Sequence, residues 1–385
     1  MIARPDRGAK EARLRLRNTN RLRDIDRGLA ITFVLLLVSG LIVLYAASYY
    51  NAQDGGSPFA EVRSQLLGVA AGAIGMAVIL RMDYRLLERR SICMGLLGAS
   101  FLLLVLVAIP GIGKYLNGSR RWLRLGPVSF QPSEMAKYAS ILYLARALSR
   151  KTRDVKRFFT GLVPMFVLPG AMFLLILLQP NLSTAGSILI VAAVMTMLAG
   201  AKWLHLGLIG AGGMALGTFY ALSEDYRRAR LTSFRRPFDF LTKEGYQLSQ
   251  SLIAFGSGGL FGMGLGMGRQ KYAFLPYPES DFIFAVVGED LGFFGCAGVL
   301  ILFMAFLFFG LRIAIRCEDR FGSLLAGGIT CMIGVQCVLN VAVVTGLMPT
   351  TGLPLPFFSA GGTSISIVMC AVAVLMNISA SARRE

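Results

Sequence analysis

An all-α membrane domain of about ten spans is the fold the sequence predicts, on three observations. Of 385 residues, 55% are hydrophobic and only 16% charged, with a mean hydropathy of +0.63, whereas soluble domains carry roughly 25% charge. Apolar stretches of about 20 residues recur, each able to cross ~30 Å of hydrocarbon as a helix. Lys and Arg collect between those stretches rather than within them.

The elements follow in order. Residues 1–28 form a basic tail with nine Lys or Arg from Arg4 to Arg27, expected to lie on anionic lipid at the cytoplasmic face. The apolar run from Leu29 to Ser48 is long and lacks a small-residue cleavage site, so the tail does not read as a signal peptide. Spans are expected near 29–48, 62–80, 91–109, 133–148, 160–178, 182–199, 203–222, 282–310, 321–345 and 362–381. They make one transmembrane domain, 29–381, with a cytoplasmic end, 382–385. "RMDYRLLERR" (81–90) holds four Arg, and "RALSRKTRDVKR" (146–157) holds six basic residues. Arg312, Arg316 and Arg320 cluster, and the chain ends "ARRE". The positive-inside rule puts all of these, and both termini, in the cytoplasm.

Two outer segments are basic as well. "GIGKYLNGSRRWLRLGPVSFQP" (111–132) holds Lys114, Arg120, Arg121 and Arg124. The large extracytoplasmic loop, 223–280, holds eight basic residues, among them Arg235, Arg236, Arg269 and Lys271. Long loops escape the charge bias, but that gives no reason for them to be basic. Cation clusters with forked donors suit phosphate, so an anionic partner outside the membrane is expected. The stretch "GSGGLFGMGLGMGRQK" reads as backbone needing close approach or tight turns. It lacks the Lys-Ser or Lys-Thr ending of a nucleotide P-loop.

Several classes fall away. A formal charge of +18 invites nucleic acid, but no basic folded module is present to grip it. The six cysteines lie in or at the ends of apolar stretches without metal-ligand spacing. His205 is the only histidine, so proton transfer falls to a carboxylate.

The candidate chemistry sits at the outer ends of the spans. Asp281 follows Pro276 and Pro278 at the mouth of the eighth span. Ser280 is expected to cap that helix, with Asp281 ionised in its first turn; a helix-start carboxylate is also common for structural reasons alone. Glu289 and Asp290 are expected ~12–14 Å deeper at 1.5 Å per residue, facing a bundle interior or wet cavity. "QPSEMAK" (131–137) offers Gln131, Ser133, Glu134 and Lys137, the last two on one helix face; an interfacial ion pair is the alternative. "LLQPNLSTAG" (177–186) is a polar break with Gln179 and Asn181, which also suit a simple turn. "GLMPTTGLPLPFFSAGGTS" (346–364) carries Ser359, no charge, three Pro and four Gly. It reads as a re-entrant or tightly folded outer loop. The residues by themselves reach as far as a membrane enzyme or transporter for an anionic, lipid-linked substrate.

Five of these motifs, in this order, resemble the SEDS family of FtsW and RodA: "NGSRRWLRLGPVSFQPSEMAK", "LLQPNLSTAG", "YQLSQSLIAFGSGGLFGMGLG", "LPYPESDFIFAVVGEDLG" and "GLMPTTGLPLPFFSAGGTS". The resemblance runs from Asp24 to Ser379. It implies ten helices, a large outer loop before the eighth, and polymerisation of lipid II into β-1,4 glycan at the outer face of the bacterial cytoplasmic membrane. It also implies a class B penicillin-binding protein and other divisome or elongation-complex proteins as partners. The family's essential Asp falls on Asp281, the implied general base of an inverting displacement, and its Glu and Lys fall on Glu134 and Lys137. Lys137, Arg120, Arg121 and Lys271 are then candidates to take the charge of the departing diphosphate. Gln131, Ser133, Gln179, Asn181 and Ser359 complete the implied substrate contacts, and Glu289 and Asp290 organise the cavity. A divalent cation is an open option, and no cofactor is certain. Asn181 and Ala360 stand where most members carry Asp and Tyr. "GMGRQKYAFLPYPESDF" and "YRRARLTSF" look more like the division branch, with its septal synthesis, than the elongation branch. A lipid II flippase and a non-catalytic scaffold are the competing readings.

Overall fold

The computed structural model describes residues 24–48, 60–116, 119–125, 128–150, 155, 157–223, 228, 233–240, 245–272 and 274–382. Most of the expected cytoplasmic tail and the last three residues lie outside them. Among the described residues the helices are α1 Arg27–Ser48, α2 Ala60–Arg81, α3 Arg90–Ala108, α4 Pro132–Arg150, α5 Val163–Leu177, α6 Leu182–Leu198, α7 Trp203–Leu222, α8 Tyr246–Gly258, α9 Ile283–Arg316, α10 Arg320–Val344 and α11 Gly362–Ala382.

Each of the ten expected spans falls on one of these helices, and seven are long and apolar enough to cross a membrane unaided. The helix end carrying 111–132, 223–280 and 346–361 is called outer below, after the predicted topology. α4 is an exception that its setting explains. It carries Glu134, Lys137, Arg146 and Arg150, yet Ser133, Glu134, Lys137, Ser140, Ile141 and Leu144 are all buried, because it packs among α3, α6 and α10. Lipid-facing helices show the opposite pattern, with Ile301, Met304 and Phe308 of α9 exposed. Where two helices press closest, small residues allow it. A Cβ on Gly68 of α2 would overlap Gly362 O, and one on Gly72 would stand 2.7 Å from Met369 Sδ of α11. At the inner end Asp26 fastens three helices, pairing with Arg312 of α9 while its N–H donates to Ser379 Oγ of α11 at 3.1 Å.

Three features depart from a plain helical bundle. Residues 113–130 form a small antiparallel sheet, β1 Gly113–Leu116, β2 Ser119–Leu125 and β3 Val128–Phe130, in the order β1-β2-β3. Its register sets Leu123 opposite Phe130 and Arg124 opposite Ser129, with Leu123 buried and its neighbour Arg124 exposed, as successive strand residues point to opposite faces. Within the large loop, α8 packs against α9 and α10 and donates from Ser251 Oγ to Val344 O at 2.7 Å. The third departure is a break in α9 at Gly292 (φ 66, ψ −163).

That break reverses the expected depth of the carboxylates. Beyond it, α9 and α10 run antiparallel, with Gly310 against Thr330 and a Cβ on Gly334 placed 3.1 Å from Leu307 Cδ2. Carried straight on, this register would put Asp281 ~20 Å past the outer end of α10 at 1.5 Å per residue. Instead Asp281 O accepts from Asn340, one turn inside that end, at 2.7 Å. The chain has turned back at Gly292, so residues 283–290 are all buried. Glu289 and Asp290 sit beside the kink, and Asp281 is the residue carried into the bundle.

Candidate active site

The site is assembled around the loop 346–361. After α10 the chain turns at Gly346 (φ 76) and Gly352 (φ 69) and dips back among the helices. Phe357 packs against Phe33, Phe303 and Phe306 with ring centroids 5.9, 6.3 and 5.8 Å apart. Gly40, in mid-α1, leaves room for its carbonyl. This packing holds Phe357 at φ 70, a left-handed conformation that costs a non-glycine residue ~1–2 kcal/mol. Irregular backbone at membrane depth needs protein partners, and Gln65 of α2 supplies two. Its Oε1 accepts from Gly361 N at 2.9 Å, and its Nε2 donates to Ser359 O at 3.3 Å.

Asp281 is held from outside its own helix. Ser359 Oγ donates to Ser280 O at 2.6 Å and accepts from Leu355 N at 2.8 Å, while Ala360 N donates to Glu279 O at 2.8 Å. Asn340 Nδ2 donates to both Asp281 O and Leu353 O, each at 2.7 Å. A Cβ on Gly352 would stand 3.6 Å from Asp281 Oδ2, so the loop passes close to the half-buried carboxylate. Ser280 therefore does not cap α9, and Asp281 is not in its first turn. Phe282 is the cap residue, without a side-chain hydrogen bond, because Ser359 and Asn340 hold residues 280 and 281 in the preceding turn.

The α4 motif meets the far end of the same loop. Glu134 Oε1 lies 2.8 Å from Lys137 Nζ, and its Oε2 accepts from Ser364 Oγ at 2.8 Å. Next to Ser364, Thr363 Oγ1 donates to Ser129 O of β3 at 2.6 Å. Lys137 is 0% exposed, and although Glu134 neutralises it, no acceptor is aligned with its N–H groups. The hydroxyls of Ser133 and Tyr138 are buried without partners as well. Gln131 closes the first turn of α4, its carbonyl accepting from Glu134 N at 3.1 Å.

The 177–186 break joins from the opposite side. Ser183 Oγ donates to Thr351 O at 3.1 Å, beside Gly352 and hence Asp281. Asn181 caps α6, accepting from Thr184 N at 3.3 Å, and Gln179 Nε2 donates to Leu104 O at 3.1 Å. Arg121 of β2 donates to the carbonyls of Gln179 and Pro180. Arg120 lies over the Tyr115 ring at 5.7 Å.

Three expected residues are gathered elsewhere. Lys271 Nζ, buried at 3% exposure, donates to both oxygens of Asp290 at 2.8 and 2.6 Å. Asp290 also accepts from Gly266 N and Gly268 N, and Glu289 from Arg269 N and Gln270 N, at 2.7–3.1 Å. What these two carboxylates hold is the Gly-rich loop, wrapped against the kink. The glycines allow it, since a Cβ on Gly262 (φ 80) would overlap Asp290 O and one on Gly258 would overlap Gly288 O. Among the described residues no three His, Cys, Asp or Glu side chains come together.

The chain matches the cell cycle protein family of FtsW, RodA and SpoVE over residues 27–384. It belongs to that family. It is 42% identical to stage V sporulation protein E of Bacillus subtilis (strain 168), over 93% of this chain and 98% of that one. It is 38% identical to a probable peptidoglycan glycosyltransferase FtsW of Geobacter sp. (strain M18), over 94% and 99%. Among solved structures, RodA of Thermus thermophilus is similar, with a TM-score of 0.65 at 28% identity over 92% of this chain and 96% of that one. So is a chain from work on the structural coordination of polymerization and crosslinking by a peptidoglycan synthase complex, with a TM-score of 0.75 at 28% identity over 94% and 99%.

Sequence reasoning missed Asn340, Ser364 and Gln65. Asn340 left a signal, because Gln336 and Asn340 lie four apart in an otherwise apolar helix. Ser364 and Gln65 left none, since each acts only through a partner remote in sequence.

Proposed function

We propose that this family member is a peptidoglycan glycosyltransferase that polymerises lipid II at the outer face of the bacterial cytoplasmic membrane, with both termini and the basic tail inside. The observation that carries the reading is the placement of Asp281. Its turn is held by Asn340 of α10 and by Ser359 of the loop, which reaches the 177–186 break through Thr351, while Ser364 just past the loop in α11 reaches Glu134.

In this mechanism the acceptor's sugar 4-hydroxyl attacks C1 of the donor. Its proton passes to Asp281, the C1–O bond to the diphosphate breaks, and C1 inverts from α to β. A general base of this kind contributes ~10²–10⁴-fold. Undecaprenyl diphosphate leaves with both bonding electrons, and fixed cations stabilise it without a proton. Lys137 is the best placed of these, with unaligned donors beside Glu134. Arg120 and Arg121 line the approach on β2. Lys271 drops out of this role because Asp290 occupies its ammonium. Ser133, Gln131 and Ser359 frame the site, and Gln179 and Asn181 shape its wall. Glu289 and Asp290 serve it indirectly by bracing the kink that aims Asp281.

A class B penicillin-binding protein is the proposed partner, supported by the likeness to a peptidoglycan synthase complex. A septal role is supported by the identity to proteins named FtsW. The test is the purified chain in proteoliposomes with lipid II, with and without the transpeptidase. Glycan strands support the polymerase. Lipid II that crosses the bilayer without being extended would make the chain a flippase, and neither activity would leave a scaffold.

A further inference from the structure

We infer that α10 provides a sugar-recognising face opposite the anion-binding face of α4, built from the side-chain oxygens of Gln336 and Asn340. Gln336 is 2% and Asn340 1% exposed, and in each the amide oxygen is buried with no hydrogen-bond donor. For Asn340 the amide orientation is fixed, because Nδ2 already donates to the carbonyls of Asp281 and Leu353. Oδ1 must then be the atom turned away from both. Two orphaned acceptors one helical turn apart are costly unless something donates to them.

The packing of α4 and α10 shows what they stand level with. A Cβ on Gly328 of α10 would meet Ile141 Cγ2 of α4 at 2.7 Å, and the two helices run in opposite directions. Continuing that register outward sets Gln336 level with Ser133 and one turn from Lys137. α4 thus presents unfilled donors, namely the Lys137 ammonium and the Ser133 and Tyr138 hydroxyls. α10 presents unfilled acceptors. A ligand that satisfies both sides must accept on one and donate on the other. A glycosyl diphosphate does so when its diphosphate faces α4 and its hydroxyl or acetamido N–H groups face α10. Asn340 links this face to the reaction, since the amide that would receive a sugar hydroxyl also holds the Asp281 turn.

This assignment rests on the proposed polymerase reading, and the experiment separates the two. Gln336→Met keeps the side-chain length and removes the acceptor. Were Gln336 only an orphan, Met would leave binding unchanged and raise stability. If it receives a sugar donor, lipid II binding weakens about tenfold, the equivalent of one hydrogen bond. Binding of undecaprenyl diphosphate, which has no sugar, stays as in the native protein. Lys137→Met, as the control, weakens both ligands. Unchanged lipid II binding by a folded Gln336→Met protein would overturn the inference, as would equal weakening for both ligands. Neither result touches the polymerase reading, which fails separately if the native protein with its proposed transpeptidase partner extends no glycan from lipid II.

Discussion

Replacing Asp290 with Asn keeps the shape of the side chain and removes its charge, and the structure sets the consequence. The native carboxylate is 2% exposed and accepts from Lys271 Nζ at 2.8 and 2.6 Å, from Gly268 N at 3.0 Å and from Gly266 N at 2.9 Å. With Asn there, Lys271 is left buried at 3% exposure without its ion-pair partner, and breaking a buried pair from one side costs ~3–5 kcal/mol. At ~1.4 kcal/mol per tenfold, even the lower figure raises the opening constant of the loop by more than ~100-fold. Amide hydrogen exchange in nanodiscs reads this directly at Gly266, Gly268, Arg269 and Gln270. The double variant Asp290→Asn/Lys271→Met removes the stranded charge and recovers most of the protection. If the single variant exchanges at the native rate, the two carboxylates do not hold the loop and the reasoning fails.

Other expectations follow from the same geometry. Gly292→Ala forces a Cβ into Gly262 N at φ 66. Strain alone costs ~1–2 kcal/mol, and both the melting temperature and strand synthesis fall; native values for both would show that the kink does not aim Asp281. Gln65→Leu removes the two bonds that hold residues 359–361 to α2, so proteolysis within 346–361 quickens, and an unchanged cleavage rate would refute that anchoring. Tyr84, between α2 and α3, donates to Asp319 Oδ2 at 3.0 Å, and burial raises its phenol above the usual value of 10.0. The folded chain keeps a proton there that the unfolded chain releases, so stability is intact below about pH 10 and declines above it. Tyr84→Phe should lose ~1 kcal/mol and that part of the alkaline decline, and a denaturant titration across pH 8–11 checks both.

Much of the helical frame was legible from hydropathy, because a membrane span must be a long apolar helix. The Gly-rich loop was legible as backbone in close approach, and 346–364 as a re-entrant or tightly folded loop, since an uncharged stretch rich in Pro and Gly suits irregular backbone packed among helices. The reversal at Gly292 was not. A glycine inside an apolar run looks like any other until its φ is known, and this one exchanges the depths of Asp281 and Asp290. Lys271 misled for a related reason, since a basic residue in an outer loop shows its charge but not the carboxylate that neutralises it. The β2 strand was hidden because "SRRWLRL" does not alternate cleanly between apolar and polar residues, and its arginines drew attention to charge.

The central claim is that Asp281 removes the proton from the attacking hydroxyl. The direct test is the rate of glycan extension from lipid II by native protein and Asp281→Asn, each folded and bound to the proposed transpeptidase partner. The account predicts a fall of ~10²–10⁴-fold with lipid II binding preserved. Equal rates would contradict it.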